Sequence, residues 1–165
     1  MKYHKLKAGE TSGTYGMESP ITEADILQMA QQLAMSRLSK GRALTEPKHV
    51  FNHLKTLLQY HEHEVFALLL FDTKHRGIGF QELFGCTLKG ASVYPREVVK
   101  IALEHTAAAV ILVHYDPSEG PEPSQADRML TTTIKNALNM IGTRILDHVV
   151  VRYEGCVSLA ERGYL

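Results

Sequence analysis

The sequence predicts an α/β protein in which a single mixed β-sheet is flanked by helices, with an α-helical N-terminal extension. Two almost wholly apolar stretches, 64–72 and 107–113, predict the sheet. Both are too short for buried helices and have the character of central strands buried on both faces. Stretches with helical periodicity lie between the strand-like ones, and this alternation is typical of a layered α/β domain.

The N-terminal part of the chain predicts a polar lead-in followed by one helix. Residues 1–19 are polar and show no hydrophobic period, which indicates a flexible lead-in or a partly ordered arm. Thr22 is a suitable N-cap, an apolar stripe at helical spacing follows it, and Gly41 stops the helix. We therefore predict two regions: the lead-in plus N-terminal helix over 1–44, and one domain over 45–165.

Helices and strands alternate along the predicted domain. Pro47 and Pro95 lie in the first turns of two helices, and Gly142 ends the helix that starts at Ser124. The predicted elements are a helix over 46–60, a strand over 64–72, a turn over 73–77, one or two strands over 78–88, a helix from 95, a strand over 107–113, a loop over 116–123, a helix from 124 to 142, and strands over 144–151 and 157–160.

Composition narrows the class of protein. The chain of 165 residues suits one globular domain, and its 18 Lys and Arg balance 18 Asp and Glu. Proteins that bind nucleic acid usually have a basic excess. We expect a cytoplasmic protein with reduced thiols, because the chain has two cysteines, no recognisable signal peptide and no apolar run long enough to cross a membrane. Nine histidines direct attention to metal or acid–base chemistry.

The stretch 113–127 carries the candidate chemistry. His114 ends a buried strand, Asp116 lies two residues later, and Asp127 lies in the first turn of the next helix. One imidazole and two carboxylates that converge there would suffice for a divalent metal with one position open for water. The same residues allow a simpler interpretation, in which Ser124 and Asp127 form a capping box, Asp116 belongs to a turn and His114 is only hydrogen-bonded.

Five stretches carry a resemblance to a known family: EHEVFALLLFD, GASVYPREVVKIALEHTAAAVILVH, PSQAD, ILDHVVV and SLAERGYL. They cover most of 45–165, and their order and spacing resemble those of the short RadC-like proteins in the JAB/MPN (JAMM) metalloprotease superfamily. The resemblance implies a JAB/MPN fold with cytidine-deaminase-like layering. The helix at 22–40 is similar to the short N-terminal extension of this branch, and we expect no helix-hairpin-helix segment like that of the longer RadC proteins.

The JAMM pattern implies roles for residues of this chain. It comprises a glutamate on an early strand, a His-x-His pair, and a later aspartate with a serine three positions before it. Glu64, His114, Asp127 and Ser124 match this pattern, and Asp116 stands where the second histidine is expected. The resemblance implies that His114, Asp116 and Asp127 hold Zn²⁺, that Glu64 is the general base for a metal-bound water, and that Ser124 binds the oxyanion. The bond cleaved would be an amide, peptide or isopeptide bond.

Asp116 implies a weaker site than the family pattern. It leaves either a carboxylate ligand or a gap where the pattern has an imidazole. Two carboxylates beside the ion would reduce its Lewis acidity and raise the pKa of a bound water above the ~7 of neutral-ligand zinc sites. Oxygen ligands also favour Mn²⁺ or Mg²⁺ over Zn²⁺. We therefore expect weak metal binding and low or no hydrolytic activity.

Three functions stay open on the sequence. The first is a metal-dependent peptidase or isopeptidase acting on a peptide or protein. The second is a DNA-repair-associated factor, which the RadC name implies and the neutral charge does not support. The third is an inactive binding module, which Asp116 favours. The N-terminal helix would allow a homo-oligomer, and no membrane contact is expected. For Asp147 and His148, within ILDHVVV, we expect that one of the two faces the sheet edge or supports the metal site, and we favour support over catalysis.

Overall fold

The structure is a computed structural model and describes residues 6–17, 19–39, 47–83, 93–117 and 122–165. Within these residues the chain forms two short strands close to the N-terminus, four helices, and the five strands of the main sheet. In chain order the elements are β1 (Leu6–Ala8), β2 (Tyr15–Met17), α1 (Glu23–Ser39), α2 (Pro47–Leu58), β3 (Val65–Phe71), β4 (Gly77–Leu83), α3 (Pro95–Glu104), β5 (Ala109–Tyr115), α4 (Gln125–Asn139), β6 (Arg144–Val151) and β7 (Cys156–Ser158).

Five of the strands form one mixed sheet in the order β4-β3-β5-β6-β7. Strand β3 pairs antiparallel with both β4 and β5. Strands β5 and β6 are parallel, because helix α4 crosses over between them, and β7 returns antiparallel to β6. This arrangement confirms the predicted fold class of a single mixed sheet flanked by helices.

Each face of the sheet buries its own apolar cluster. Strand β3 is buried at every position, since its alternate side chains enter the two clusters. One cluster lies under α1 and α2 and includes Leu54 and Leu69. The other lies under α3 and α4 and includes Leu68, Leu112 and Ile134. We call this second side of the sheet the α4 face, and it carries the candidate site.

The N-terminal residues contain an antiparallel hairpin of β1 and β2. Of the two predicted alternatives, a flexible lead-in or a partly ordered arm, the hairpin agrees with the second. Helix α1 begins after Thr22, whose hydroxyl oxygen accepts a hydrogen bond from the backbone N–H of Asp25 at 3.2 Å. Ala34 of α1 is buried in the same cluster as Leu54 of α2. The division at residue 44 into an extension and a domain stays a prediction.

One predicted strand is described only in part, and another is shorter than predicted. Strand β4 is described to Leu83, and the rest of the predicted 78–88 strand, with Cys86, lies outside the described residues. Strand β7 ends at Ser158, because its hydroxyl oxygen accepts the backbone N–H of Glu161 and a turn begins there. The predicted strand over 157–160 was therefore wrong in its second half. None of the described helices combines the length and the apolar character that spanning a bilayer requires.

Candidate metal centre

His114 lies near the end of the central strand β5, on the α4 face of the sheet. Its partners in the ladder are Phe66 on β3 and Val150 on β6. Phe66 belongs to the cluster under α3 and α4, and paired residues point to the same side of a sheet. The His114 side chain is 12% exposed. The strand therefore places an imidazole where the buried core meets solvent.

Two carboxylates hold the His114 ring from its two nitrogens. Nδ1 lies 2.6 Å from Oδ1 of Asp127, and Nε2 lies 2.5 Å from Oε1 of Glu64. Asp127 is buried in the first turn of α4, whereas Glu64 immediately precedes β3 and is partly exposed. The fold therefore brings together three residues that the sequence analysis selected. Asp127 lies 13 positions from His114 in sequence, and Glu64 lies 50 positions from it.

These contacts set the charge of the His114 ring. Burial opposes a charged imidazole, but the hydrogen bonds and charges of Asp127 and Glu64 outweigh it and raise the pKa of His114. Burial would raise the pKa of Asp127, but hydrogen bonds from His114 and Ser124 hold it well below its usual range. Both shifts favour the charged pair, an imidazolium beside a carboxylate, when no metal is bound. A divalent cation would compete with these protons for the same ring nitrogen and oxygen.

Ser124 forms the capping box that the simpler interpretation predicted. Its Oγ accepts the backbone N–H of Asp127 at 3.1 Å and donates to Asp127 Oδ2 at 2.7 Å. The same Oδ2 accepts the backbone N–H of Ser124 at 2.9 Å. Oδ1 of Asp127 meanwhile faces His114. One carboxylate therefore caps α4 with one oxygen and faces His114 with the other, so the capping box leaves Oδ1 of Asp127 directed at the candidate site.

Asp116 lies just beyond β5, near Glu64. Its backbone N–H donates to the carbonyl of Val151 at 3.1 Å, and the residue is 6% exposed. Potential ligand atoms of Glu64, His114 and Asp116 lie within 4.8 Å of one another. The ladder explains this closeness, because Val65 pairs with Tyr115 and places the residues that flank the pair opposite each other.

A second group of ligand atoms joins His114 and Asp127 with His148, also within 4.8 Å of one another. His148 lies on β6 and is fully buried. Its Nδ1 is 2.6 Å from Oγ1 of Thr131, and its Nε2 has no hydrogen-bond partner in the described part of the chain. Burial is the main reason that the pKa of His148 falls to about 4. The ring is therefore neutral at pH 7.

The structure distributes the three predicted ligands over both groups. Among the described residues, His114 belongs to both groups, Asp116 to the one with Glu64, and Asp127 to the one with His148. The sequence analysis gave His148 only a supporting role. Its position in the site depends on which face of β6 it occupies, and that is set by the pairing of β6 with β5.

Asp147 lies on the opposite face from His148. It pairs with Ile111, which belongs to the cluster under α1 and α2. Its carboxylate accepts hydrogen bonds from Oγ of Ser158 at 2.6 Å and from the backbone N–H of Ala160 at 3.0 Å. Asp147 therefore fixes β7 and the following turn against β6.

A cleft of about 540 Å³ opens beside the site. Its wall includes Pro117, which directly follows Asp116, and the connection from β6 to β7 over residues 152–157. A cleft of this volume is in the range that binds small ligands or a short peptide segment. Neither Glu64 nor any of the candidate metal ligands is among the residues that line this cleft.

Comparison with known proteins decides the family. The sequence pattern of the RadC-like JAB domain matches residues 44–164. The chain belongs to the RadC-like JAB family. This confirms the resemblance on which the sequence analysis relied, and it covers every residue of both groups of ligand atoms.

Proteins with similar sequences carry the name UPF0758 protein. One from Xanthomonas oryzae pv. oryzae is 45% identical over 159 residues, which is 96% of this chain and 71% of the relative. One from Vibrio cholerae is 47% identical over 143 residues, 87% of this chain and 90% of the relative. One from Shewanella frigidimarina is 50% identical over 139 residues, 84% and 62% respectively.

Proposed function

We propose that this RadC-like JAB protein is a metal-dependent hydrolase of the JAMM type that acts on amide, peptide or isopeptide bonds. The observation that carries the proposal is the position of the His114 ring, held between Asp127 and Glu64 at the end of the central strands. The residues that the JAMM pattern uses as ligand and base are thus in direct contact, and family membership supports the same chemistry.

The donor atoms of the site fit a divalent cation, with Zn²⁺ as the first choice. Imidazole nitrogens and carboxylate oxygens are common zinc ligands, and His114 and Asp127 offer one of each. A ring nitrogen of His148 lies within 4.8 Å of both ligand atoms, and the buried Nε2 of this ring has no hydrogen-bond partner among the described residues. When bound, the ion would supply a Lewis acid that polarises the scissile carbonyl and activates water.

Glu64 is suited to be the general base. Its side chain is 31% exposed, so water and substrate can reach it, and one of its oxygens contacts Nε2 of His114. A carboxylate in this position can take a proton from the attacking water and return it to the leaving amine. Glu64→Gln should therefore lower the rate while leaving metal binding largely intact.

Ser124 has a structural role that limits its proposed role at the oxyanion. To donate to an oxyanion, its hydroxyl must leave Oδ2 of Asp127, which then keeps the backbone N–H of Ser124 as its donor among the described residues. We propose that Ser124 contributes less to the rate than an oxyanion donor that is not already engaged. Its capping of α4 keeps Asp127 directed at His114.

Asp116 is proposed to give the site a lower metal affinity and a lower rate than a histidine at the same position would give. It is a buried carboxylate beside Glu64 and His114, where the JAMM pattern supplies a neutral imidazole. Added negative charge near the cation reduces the Lewis acidity on which the hydrolysis depends. Mn²⁺ should therefore support activity relatively better than in a site with a neutral ligand at this position.

Metal binding and hydrolysis are tested on the full chain after its metals have been removed with a chelator. Zn²⁺ is titrated by calorimetry into the wild type, His114→Ala and, as the matched control, His63→Ala, which removes an exposed histidine. We expect one site in the wild type and the control and none in His114→Ala. Cleavage of a peptide mixture and of an isopeptide-linked pair is then followed by mass spectrometry, with Zn²⁺ or Mn²⁺ present. No metal-dependent cleavage, or cleavage that His114→Ala retains, contradicts the proposal.

A binding module without hydrolytic activity is the second candidate, and Asp116 is the observation that favours it. Such a module would keep the cleft beside Pro117 as a peptide-binding surface while the weakened centre leaves the bound chain intact. It predicts that peptides recovered with the protein remain uncut with either metal. Restoration of cleavage by Asp116→His would support it as a module derived from an active hydrolase.

A further inference from the structure

We propose that His148 is a protein ligand of the metal centre, together with His114 and Asp127. In this arrangement an imidazole from β6 supplies the nitrogen that the JAMM pattern takes from the position of Asp116. The inference rests on the proposed function in requiring that a divalent metal binds here, but it concerns which atoms hold that metal.

The first support is the state of the His148 ring in the core. The residue is 0% exposed, and its Nε2 has no hydrogen-bond partner in the described part of the chain. A buried polar atom left without a partner costs free energy, and native proteins rarely tolerate one. Phe66 packs edge-on against the ring, with centroids 5.8 Å apart. A metal cation bound to Nε2 of His148 would supply the partner that the described residues do not provide.

The second support is the tautomer of His148, which follows from counting protons. Thr131 Oγ1 lies 2.6 Å from the backbone carbonyl of Asp127 and 2.6 Å from Nδ1 of His148. The hydroxyl has one hydrogen, and the carbonyl can only accept, so Thr131 donates that hydrogen to the carbonyl. It must then accept from His148, which places the ring proton on Nδ1 and the lone pair on Nε2. A metal-binding histidine is commonly oriented in this way by a hydrogen bond at its other nitrogen.

The third support is the geometry of the α4 face. On β6, His148 pairs with Leu112, and Val150, two residues later, pairs with His114. The two imidazoles are therefore diagonal neighbours on one side of the sheet, with ring centroids 6.4 Å apart. Asp127 reaches the same point from α4, and the three potential ligand atoms lie within 4.8 Å of one another.

The two possible sets of metal ligands around His114 differ in charge. Ligation by His114, His148 and Asp127 uses two neutral imidazoles and one carboxylate, which is the kind of set that zinc prefers. Ligation by His114 with Glu64 and Asp116 uses two carboxylates and one imidazole, which favours harder ions. The identity of the third ligand therefore decides the metal preference of the site.

The decisive measurement reads the ligand atoms directly. The full chain, labelled with nitrogen-15 at histidine and freed of metal, is titrated with cadmium-113, whose nuclear spin couples to any nitrogen bonded to it. The His148 signals are identified from His148→Gln or, if that variant does not fold, from through-bond correlation to the β6 backbone. We expect coupling at Nε2 of His148 and at one nitrogen of His114. Coupling confined to His114, or no coupling at all, overturns the inference.

Zn²⁺ affinity gives a second readout with a matched pair of variants. His148→Gln should weaken Zn²⁺ binding by at least about a hundredfold, since loss of partners outside the ligand shell alone costs 10–100-fold. Asp116→Asn should change Zn²⁺ affinity by less than about threefold, which is well below the 10–100-fold range. The reverse order of effects overturns the inference and leaves the hydrolase proposal standing. If coupling at His148 is observed but no peptide is cleaved, the ligand assignment holds and the hydrolase proposal fails.

Discussion

Replacing Thr131 by valine removes one hydroxyl from the buried side of α4 and keeps nearly the same shape. Thr131 is 1% exposed, and its Oγ1 connects the carbonyl of Asp127 to Nδ1 of His148. The carbonyl keeps its helical hydrogen bond in the variant, whereas the Nδ1–H of His148 loses its partner in the core. Such a buried, unsatisfied group costs roughly 1–3 kcal/mol, so we expect Thr131→Val to lower the free energy of unfolding by about that amount.

The same helix supplies the control. Thr133 donates its hydroxyl to the carbonyl of Met129 at 2.9 Å, the same local contact, but its side chain is exposed. Thr133→Val should change the free energy of unfolding by less than about 0.5 kcal/mol. Both variants are unfolded with urea in excess chelator, so that metal binding does not contribute. For a domain of this size, each 1 kcal/mol corresponds to roughly 2–4 °C in the melting temperature, which is readily measured.

Equal stability of the two variants would refute the reasoning. It would mean that His148 does not depend on Thr131, and the assignment of the ring proton to Nδ1 would lose its basis. A loss far above 3 kcal/mol would also contradict the calculation, since one orphaned donor cannot account for it. The experiment therefore tests the orientation of His148 without any metal in the sample.

The remaining predictions address the site, the core and a thiol. Asp116→His, which adds a third imidazole beside those of His114 and His148, should tighten Zn²⁺ binding by at least about tenfold, or 1.4 kcal/mol, in calorimetry, and unchanged affinity would show that a histidine at position 116 does not reach the ion. Leu112→Ala, which truncates a fully buried side chain, should cost about 2–5 kcal/mol in urea unfolding, whereas Leu103→Ala, at a position 57% exposed, should stay within about 0.5 kcal/mol. Burial raises the pKa of Cys156 to about 11, so in Cys86→Ser its labelling at pH 8 should be about a hundredfold slower than for an unperturbed thiol and should accelerate as the pH approaches 11; rapid labelling at pH 8 would contradict this.

Some of the fold was predictable because local signals agree with the tertiary structure. The apolar run that became β3 has no alternation, and the strand is indeed buried on both faces. Ser124 and Asp127 stand at capping-box spacing, and both hydrogen bonds of the box are present. The hairpin of β1 and β2 had no such signal, since each strand has only three residues, which is too short to show an alternation, and the two strands pair with each other.

The site was predictable only in part, because the position of His148 depends on a single irregularity in the sheet. The pairing of β5 with β6 shifts between Val110 and Ile111, so that Ile111 pairs with Asp147 and the partner strand accommodates one additional residue. Without that shift, alternation along β6 would place Asp147 on the α4 face and turn His148 away from His114. The sequence ILDHVVV is compatible with either register.

Because of this shift, the neighbouring side chains of Asp147 and His148 lie on opposite faces of the sheet and have different roles. Asp147 is free to anchor Ser158 and the turn after β7, while His148 directs its ring toward Asp127 and His114. The two residues are adjacent in sequence, yet one stabilises an edge of the sheet and the other completes a group of potential metal ligands. A β-bulge of one residue thus determines which side chain of the pair enters the candidate metal centre.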